Sequence, residues 1–239
     1  MRPPDAITLS GPPGSMSAIV QMDAGGVVVV PIAIKLGDGP VICRAHVRPF
    51  GRGTSEIRLR LPGETPPGRY SGEGPFAGEP RAITVEVEPV VRIRLHPKRT
   101  TLEAAGGAGP GFAVTVVNTG NVSVAIPEAA VFDLDDEESQ DRALGRAMRA
   151  RLAEGERLVD RVFDEIRESH GGEARLAVVE GAGPLEPGET RTLRCQLVLP
   201  TSVQAGRTYT GGWEIGNTTH LFTIEVTKNG PRSRGRSPS

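Results

Sequence analysis

The sequence predicts a mainly β chain of two tandem antiparallel β-sandwiches, the second carrying a long helical insertion. Three observations predict it. A strand–turn–strand pattern occurs twice: Ile57–Pro62, Pro67–Gly72 and Ile83–Val87 are echoed by Cys195–Pro200, Ala205–Gly211 and Phe222–Val226. Within these runs apolar and polar residues alternate, and the 31 Gly and 21 Pro fall mainly between runs, where turns are needed. Between Phe132 and Arg175 the alternation stops and apolar residues recur at helical spacing.

Length and charge narrow the function classes. A chain of 239 residues is long enough for two small domains, and the repeat favours two over one. With 28 Lys and Arg against 29 Asp and Glu, no global field draws the chain to nucleic acid or an anionic membrane. Residues 1–15 are dense in Pro and Gly, lack a continuous apolar stretch, and read as a flexible leader that is not a secretory signal. The longest apolar run, Val27–Ile34, is interrupted by Pro31 and is too short to span a bilayer. These features predict no membrane insertion and a cytoplasmic location, with export by another route left open.

The first domain is expected over residues 16–89. Val27–Ile34 and Val41–Val47 are its early strands, joined by the turn Leu36–Pro40. Ile57, Leu59 and Leu61 face away from Glu56, Arg58 and Arg60, and Ile83, Val85 and Val87 repeat the device. The second domain is expected over residues 90–227. There Val91, Ile93 and Leu95 alternate with Arg92, Arg94 and His96. Phe112–Val117, a turn at Asn118–Asn121 and Val122–Ile126 match the first domain's early hairpin. The turn Asn118-Thr-Gly-Asn121 is expected to supply left-handed backbone positions.

The insertion, about residues 135–170, reads as helix. Leu144, Met148, Leu152, Val159, Phe163 and Ile166 form one apolar stripe. Asp135, Asp136 and Glu138 supply an acidic start, and Gly171-Gly172 a stop. An unbroken helix of this length would reach about 50 Å, with Gly145 and Gly155 its weak points. Residues 228–239 are basic, lack apolar anchors and read as a disordered tail.

The stretches Val114–Asn121, Pro184–Thr190, Leu197–Pro200 and Ala205–Gly211 resemble bacterial immunoglobulin-like domains of the CARDB and related types. Those share an Asn-Thr-Gly-Asn hairpin, a Pro-Pro-Gly-Glu turn and an Ala-Gly-x-Tyr approach to the last strands. The first domain keeps Pro66-Pro67-Gly68-Arg69-Tyr70 but has Leu36–Pro40 in place of the first turn. The resemblance covers both domains except the insertion. It implies tandem immunoglobulin-like sandwiches used for binding, spacing or display, and it carries no catalytic residues.

No reaction centre can be assembled from the sequence. His46, His96, His170 and His220 are scattered, and Cys43 and Cys195 sit singly in apolar runs, as buried thiols do. The acidic cluster Asp133–Glu138 lacks the spacing of a calcium loop, and Ala105–Pro110 lacks the ending of a phosphate loop. Neither a cofactor nor a metal is expected, no small-molecule substrate is evident, and the chain is not expected to be an enzyme. Arg92, Arg94, His96, Lys98 and Arg99 form a basic row, but aromatic residues are only 4% of the chain, too few for base stacking, so no nucleic-acid partner is expected. The expected function is a non-enzymatic scaffold or adaptor that binds a protein partner, or itself. Its candidate contact residues are the stripe Leu144, Met148, Leu152, Val159, Phe163 and Ile166, with Trp213. The alternatives are an envelope protein recognising carbohydrate or an extracellular surface, a pilus-assembly-type chaperone, and an accessory pair separated from a hydrolase.

Overall fold

Buried and exposed residues alternate along nearly every strand of the computed structural model, which describes residues 6–37, 39–51, 53–105, 109–136, 145, 148–149, 157–161, 163 and 170–227. Strand accounts for 66% of these and helix for 4%. By contact the chain divides into two units. Unit 1 holds residues 1–92 with 118–124 and 186–189, and unit 2 holds the rest.

Unit 1 contains β1 (Ile7–Gly11), β2 (Met16–Gln21), β3 (Val28–Leu36), β4 (Gly39–Gly51), β5 (Thr54–Leu59), β6 (Gly68–Phe76) and β7 (Glu79–Val87). They close into a barrel in the order β1-β2-β5-β4-β3-β6-β7. Alternate residues fill it: Leu9, Ile32, Ile34, Ala45, Ile57, Leu59 and Val85 are wholly buried. Closure comes from β1, which pairs antiparallel with β2 and parallel with β7, Ile7 to Ile83 through Gly11 to Val87. Part of the expected flexible leader is therefore strand. The three-residue alternation of Ile7-Thr8-Leu9 is too short to stand out among prolines, and burial of Ile7 and Leu9 against β7 supplies what local pattern does not. Residues 1–5 lie outside the described residues.

Unit 2 contains β8 (Ile93–His96), β9 (Arg99–Ala105), β10 (Gly111–Asn118), β12 (Ala129–Asp136), β13 (His170–Glu180), β15 (Thr190–Val198), β16 (Thr208–Ile215) and β17 (Thr218–Thr227). They form one sheet, β8-β10-β15-β13-β12-β16-β17-β9, with β9 again parallel to the last strand. A ribbon of β11 (Val124–Ile126) and β14 (Gly183–Leu185) stands apart from that sheet. With β8 set aside, the order matches unit 1 strand for strand, β9 standing for β1, β10 for β2 and β17 for β7. Lettered A to G, the succession A-B-E-D then C-F-G is that of an immunoglobulin-like domain.

Three expectations are corrected. The halves of each unit are not separate antiparallel sheets facing across a sandwich. β3 and β4 remain paired from Val28 and Val47 to Leu36 and Gly39, joining the A-B-E-D and C-F-G halves into one continuous sheet, and two pairings are parallel. The expected long helix is not found either: among the described residues no helix of seven residues or more occurs, and the helical positions there are Gly145, Met148, Arg149, Leu158–Arg161 and Phe163. The expected start and stop signals serve strands instead. Asp135 and Asp136 end β12, opposite Thr210 and Tyr209 of β16. Gly171 and Gly172 open β13, with Gly172 at φ 86° where the β12–β13 register shifts. The match of early hairpins shifts as well. The partner of β3–β4 is β12–β13, so residues 137–169 stand where unit 1 has only residues 37–38.

Candidate interaction surfaces

The apolar stripe is only partly within view. Leu144, Leu152 and Ile166 lie outside the described residues. Met148, Val159 and Phe163 are 67%, 57% and 66% exposed, and Leu158 beside them is 42% exposed. Arg157 donates to Asp160 at 2.9 and 3.0 Å, which holds the Asp160 carboxyl below its usual range.

Trp213 is 2% exposed, placed on the inward side of β16 opposite His220 of β17. It belongs to the packed interior of unit 2. His220 is wholly buried in an aromatic cluster. Its ring lies 4.8 Å from that of Phe222 and 6.0 Å from that of Phe112, and Phe222 stacks on Phe132 at 5.1 Å. The Thr100 hydroxyl lies 3.0 Å from His220 Nε2. Burial pushes the imidazole pKa down, and the Pro97 carbonyl opposes this by a smaller amount. A polar ring placed among aromatics has no amphipathic signature, so sequence reading left it as one of four scattered histidines.

The Asn118–Asn121 turn was expected to use left-handed backbone, yet none of its residues has positive φ. It works through side chains. Asn118 Oδ1 accepts from Gly120 N and its Nδ2 donates to the Val122 carbonyl. Asn121 is 2% exposed; its Nδ2 donates to the carbonyls of Thr65 and Glu88, both at 3.0 Å, and its Oδ1 accepts from Val90 N at 2.6 Å. A Cβ on Gly120 would lie 2.1 Å from the Val90 carbonyl oxygen, so this position is glycine for close approach.

Sequence reading missed the outer face of β4 and β5. On β4 the outward positions are Ile42, Arg44, His46, Arg48 and Phe50; on β5 and just beyond they are Glu56, Arg58 and Arg60. Glu56 is covered by Arg48, directly opposite on β4, and by Arg58, whose Nε donates to it at 2.8 Å. The Arg58 hydrogen bond, with Arg48 adding to it, holds the Glu56 carboxyl below its usual range. The residues were visible as polar alternates, but only the β4–β5 register places His46 opposite Arg58.

Other features offer less chemistry. Among the described residues no three His, Cys, Asp or Glu side chains gather where a metal could sit. Asp133 and Asp135 face outward on β12, and Asp136 is buried against Arg207 at 2.8 Å. Burial raises the Cys43 thiol pKa and pushes that of Cys195 up to about 11, which leaves both as thiols at neutral pH. A cavity of about 230 Å³ lined by Met22, Val28, Val30 and Phe76 carries one carboxylate, Asp23, which already accepts from Gly25 N. Arg94 and His96 alternate with buried Ile93 and Leu95 on β8, and Arg92, Lys98 and Arg99 are likewise exposed. No helix among the described residues is long and apolar enough to cross a membrane.

No family model and no curated protein matches the sequence. Among solved structures, the chain is similar to an immunoglobulin tandem fragment of titin, with 9% identity, 93% of this chain and 95% of that chain covered, and a TM-score of 0.32. It is also similar to a protein of unknown function from Porphyromonas gingivalis W83, with 11% identity, coverage of 93% and 96%, and a TM-score of 0.26. A third is a chain from the complex of Dpr11 IG1 bound to DIP-gamma IG+IG2, with 9% identity, coverage of 93% and 94%, and a TM-score of 0.30. At these scores the fold reading rests on strand order alone.

Proposed function

We propose that this protein is a non-enzymatic protein-binding module that engages a partner through the β12–β13 connection. One observation carries the reading: Met148, Leu158, Val159 and Phe163, four large apolar side chains on a single connection, are all 42–67% exposed. Apolar groups concentrated on one surface segment are what a partner's contact surface covers. The core of unit 2 is filled without them, since Leu134, Leu176, Leu197, Trp213, Phe222 and Ile224 are buried on its strands. Trp213 contributes to that core and not to the contact.

The test is the triple variant Met148→Ser/Val159→Ser/Phe163→Ser. Affinity capture from the native cell, read by mass spectrometry, is expected to recover a partner with the parent chain and lose it with the variant. Sedimentation velocity of both proteins identifies the case in which the partner is a second copy. An identical set of captured proteins and an identical sedimentation profile would refute the reading.

A further inference from the structure

We infer that the outer face of β4 and β5 in unit 1, with the flanking strands β2 and β3, docks an acidic polypeptide segment that carries aliphatic side chains. This surface does not depend on the β12–β13 connection. Across the outward positions of these four strands and Arg60, the described residues include four arginines (Arg44, Arg48, Arg58 and Arg60), His46 and Lys35, against one carboxylate, Glu56. Glu56 is already held between Arg48 and Arg58. Among the described residues no carboxylate pairs with Arg44, Arg60 or His46. In a chain whose charges nearly cancel, this is a local excess of positive charge.

Folding does not explain the arrangement. The register sets His46, and not a carboxylate, opposite Arg58, so no ion pair supports the strand pairing at this position. Elsewhere the same chain interleaves its charges: Arg69 faces Glu86 across β6–β7, and Arg194 lies 3.2 Å from Glu180. A solvated face selected only for stability would carry carboxylates at the Arg44 or His46 positions too.

Apolar residues among the arginines identify the class of partner. Ile19 opposite Glu56 is 59% exposed, Val29 opposite His46 is 50% exposed, and Ile42 on β4 is 75% exposed. Arginine beside exposed aliphatic surface suits a protein contact, where carboxylates meet guanidinium groups and methyl groups are covered. A phosphate backbone offers nothing to cover Ile19, Val29 and Ile42. Base stacking would need aromatic platforms, and Phe50 is the single exposed aromatic at the described outward positions of these strands. Charge complementarity therefore points to an acidic protein segment.

The test uses a fluorescein-labelled peptide of sequence Glu-Glu-Leu-Glu-Glu-Leu-Glu-Glu, its Leu-to-Ser counterpart, and a fluorescein-labelled twelve-residue oligothymidylate, titrated with the full chain by anisotropy. The Leu peptide is expected to bind best, and raising salt from 50 to 300 mM is expected to weaken it. The variant Arg44→Glu/Arg60→Glu, at exposed positions with no ion pair among the described residues, is expected to lose at least about tenfold in affinity. Arg94→Glu/Lys98→Glu, which makes the same change in net charge on unit 2, is expected to leave binding unchanged. Four results overturn the inference: no peptide binding, equal binding by the Ser peptide, equal loss in both double variants, or tighter binding of the oligothymidylate. Far-ultraviolet circular dichroism of each variant shows that the fold is kept.

Discussion

Acidification from pH 7.5 to 5.5 should weaken unit 2 through His220. The imidazole is wholly buried among Phe112, Phe222 and Trp213, with Thr100 as its hydrogen-bonding neighbour, and burial holds its folded pKa below the unfolded value of about 6.5. The unfolded chain therefore binds a proton that the folded chain refuses. Stability is fully present above about pH 6.5 and falls as pH drops from there toward the folded pKa, by at most about 1.4 kcal/mol per pH unit. The Glu56 and Asp160 carboxyls are lowered as well and their contribution is likewise lost as pH falls, but only below their unfolded values of 4.5 and 3.8, beneath this window. Trp213, the single tryptophan, stands directly across from His220 and reports on unit 2. In urea titrations followed by its fluorescence, the midpoint should fall by up to about 0.7 M between pH 6.5 and 5.5, for a denaturant slope of about 2 kcal/mol per molar. His220→Phe keeps a ring in the cluster and should abolish the slope. A midpoint that stays constant from pH 7.5 to 5.5, or falls equally in the variant, would refute the account.

Asn121→Ala should cost roughly 2–4 kcal/mol: it strands the buried Thr65 carbonyl and releases the Glu88 carbonyl and Val90 N–H, and only the latter two can turn to water. Urea denaturation followed by far-ultraviolet circular dichroism measures that loss, and a change below about 0.5 kcal/mol would show the network to be dispensable. Ala77→Asn should stabilise by about 1 kcal/mol, because the β6–β7 turn sets Ala77 at φ 54° and Gly78 at φ 82°, a turn that favours Asn-Gly and strains Ala. Thermal melts decide it, and a lower midpoint in the variant would mean that the alanine is not strained.

Ile57–Val87 and Cys195–Val226 supply β5–β6–β7 and β15–β16–β17, the same strands at the same places in two sheets. The early hairpin was mismatched because Phe112–Val117 and Val30–Leu36 share an alternation that any half-buried strand would show, whichever strand it pairs with. The helical stripe misled for a related reason. Spacings of three and four record which residues would share a helix face, and they do not say whether anything exists for that face to pack against.

Sequence by itself determined the strands with a long alternation, such as β3, β4, β5 and β7, and which of their residues point inward, since alternation at a period of two is written into the order of side chains. Turn positions followed too, wherever Gly or Pro removes the alternatives. Only the tertiary structure decided the sheet order, the closure of unit 1 by β1, the transfer of Asp135 and Asp136 from a helix start to a strand end, and the gathering of Arg44, His46, Arg58 and Arg60 on one face. Each of these depends on which strand becomes the hydrogen-bonding neighbour of which. That choice is made by burying whole faces at once, and no stretch of residues encodes it alone.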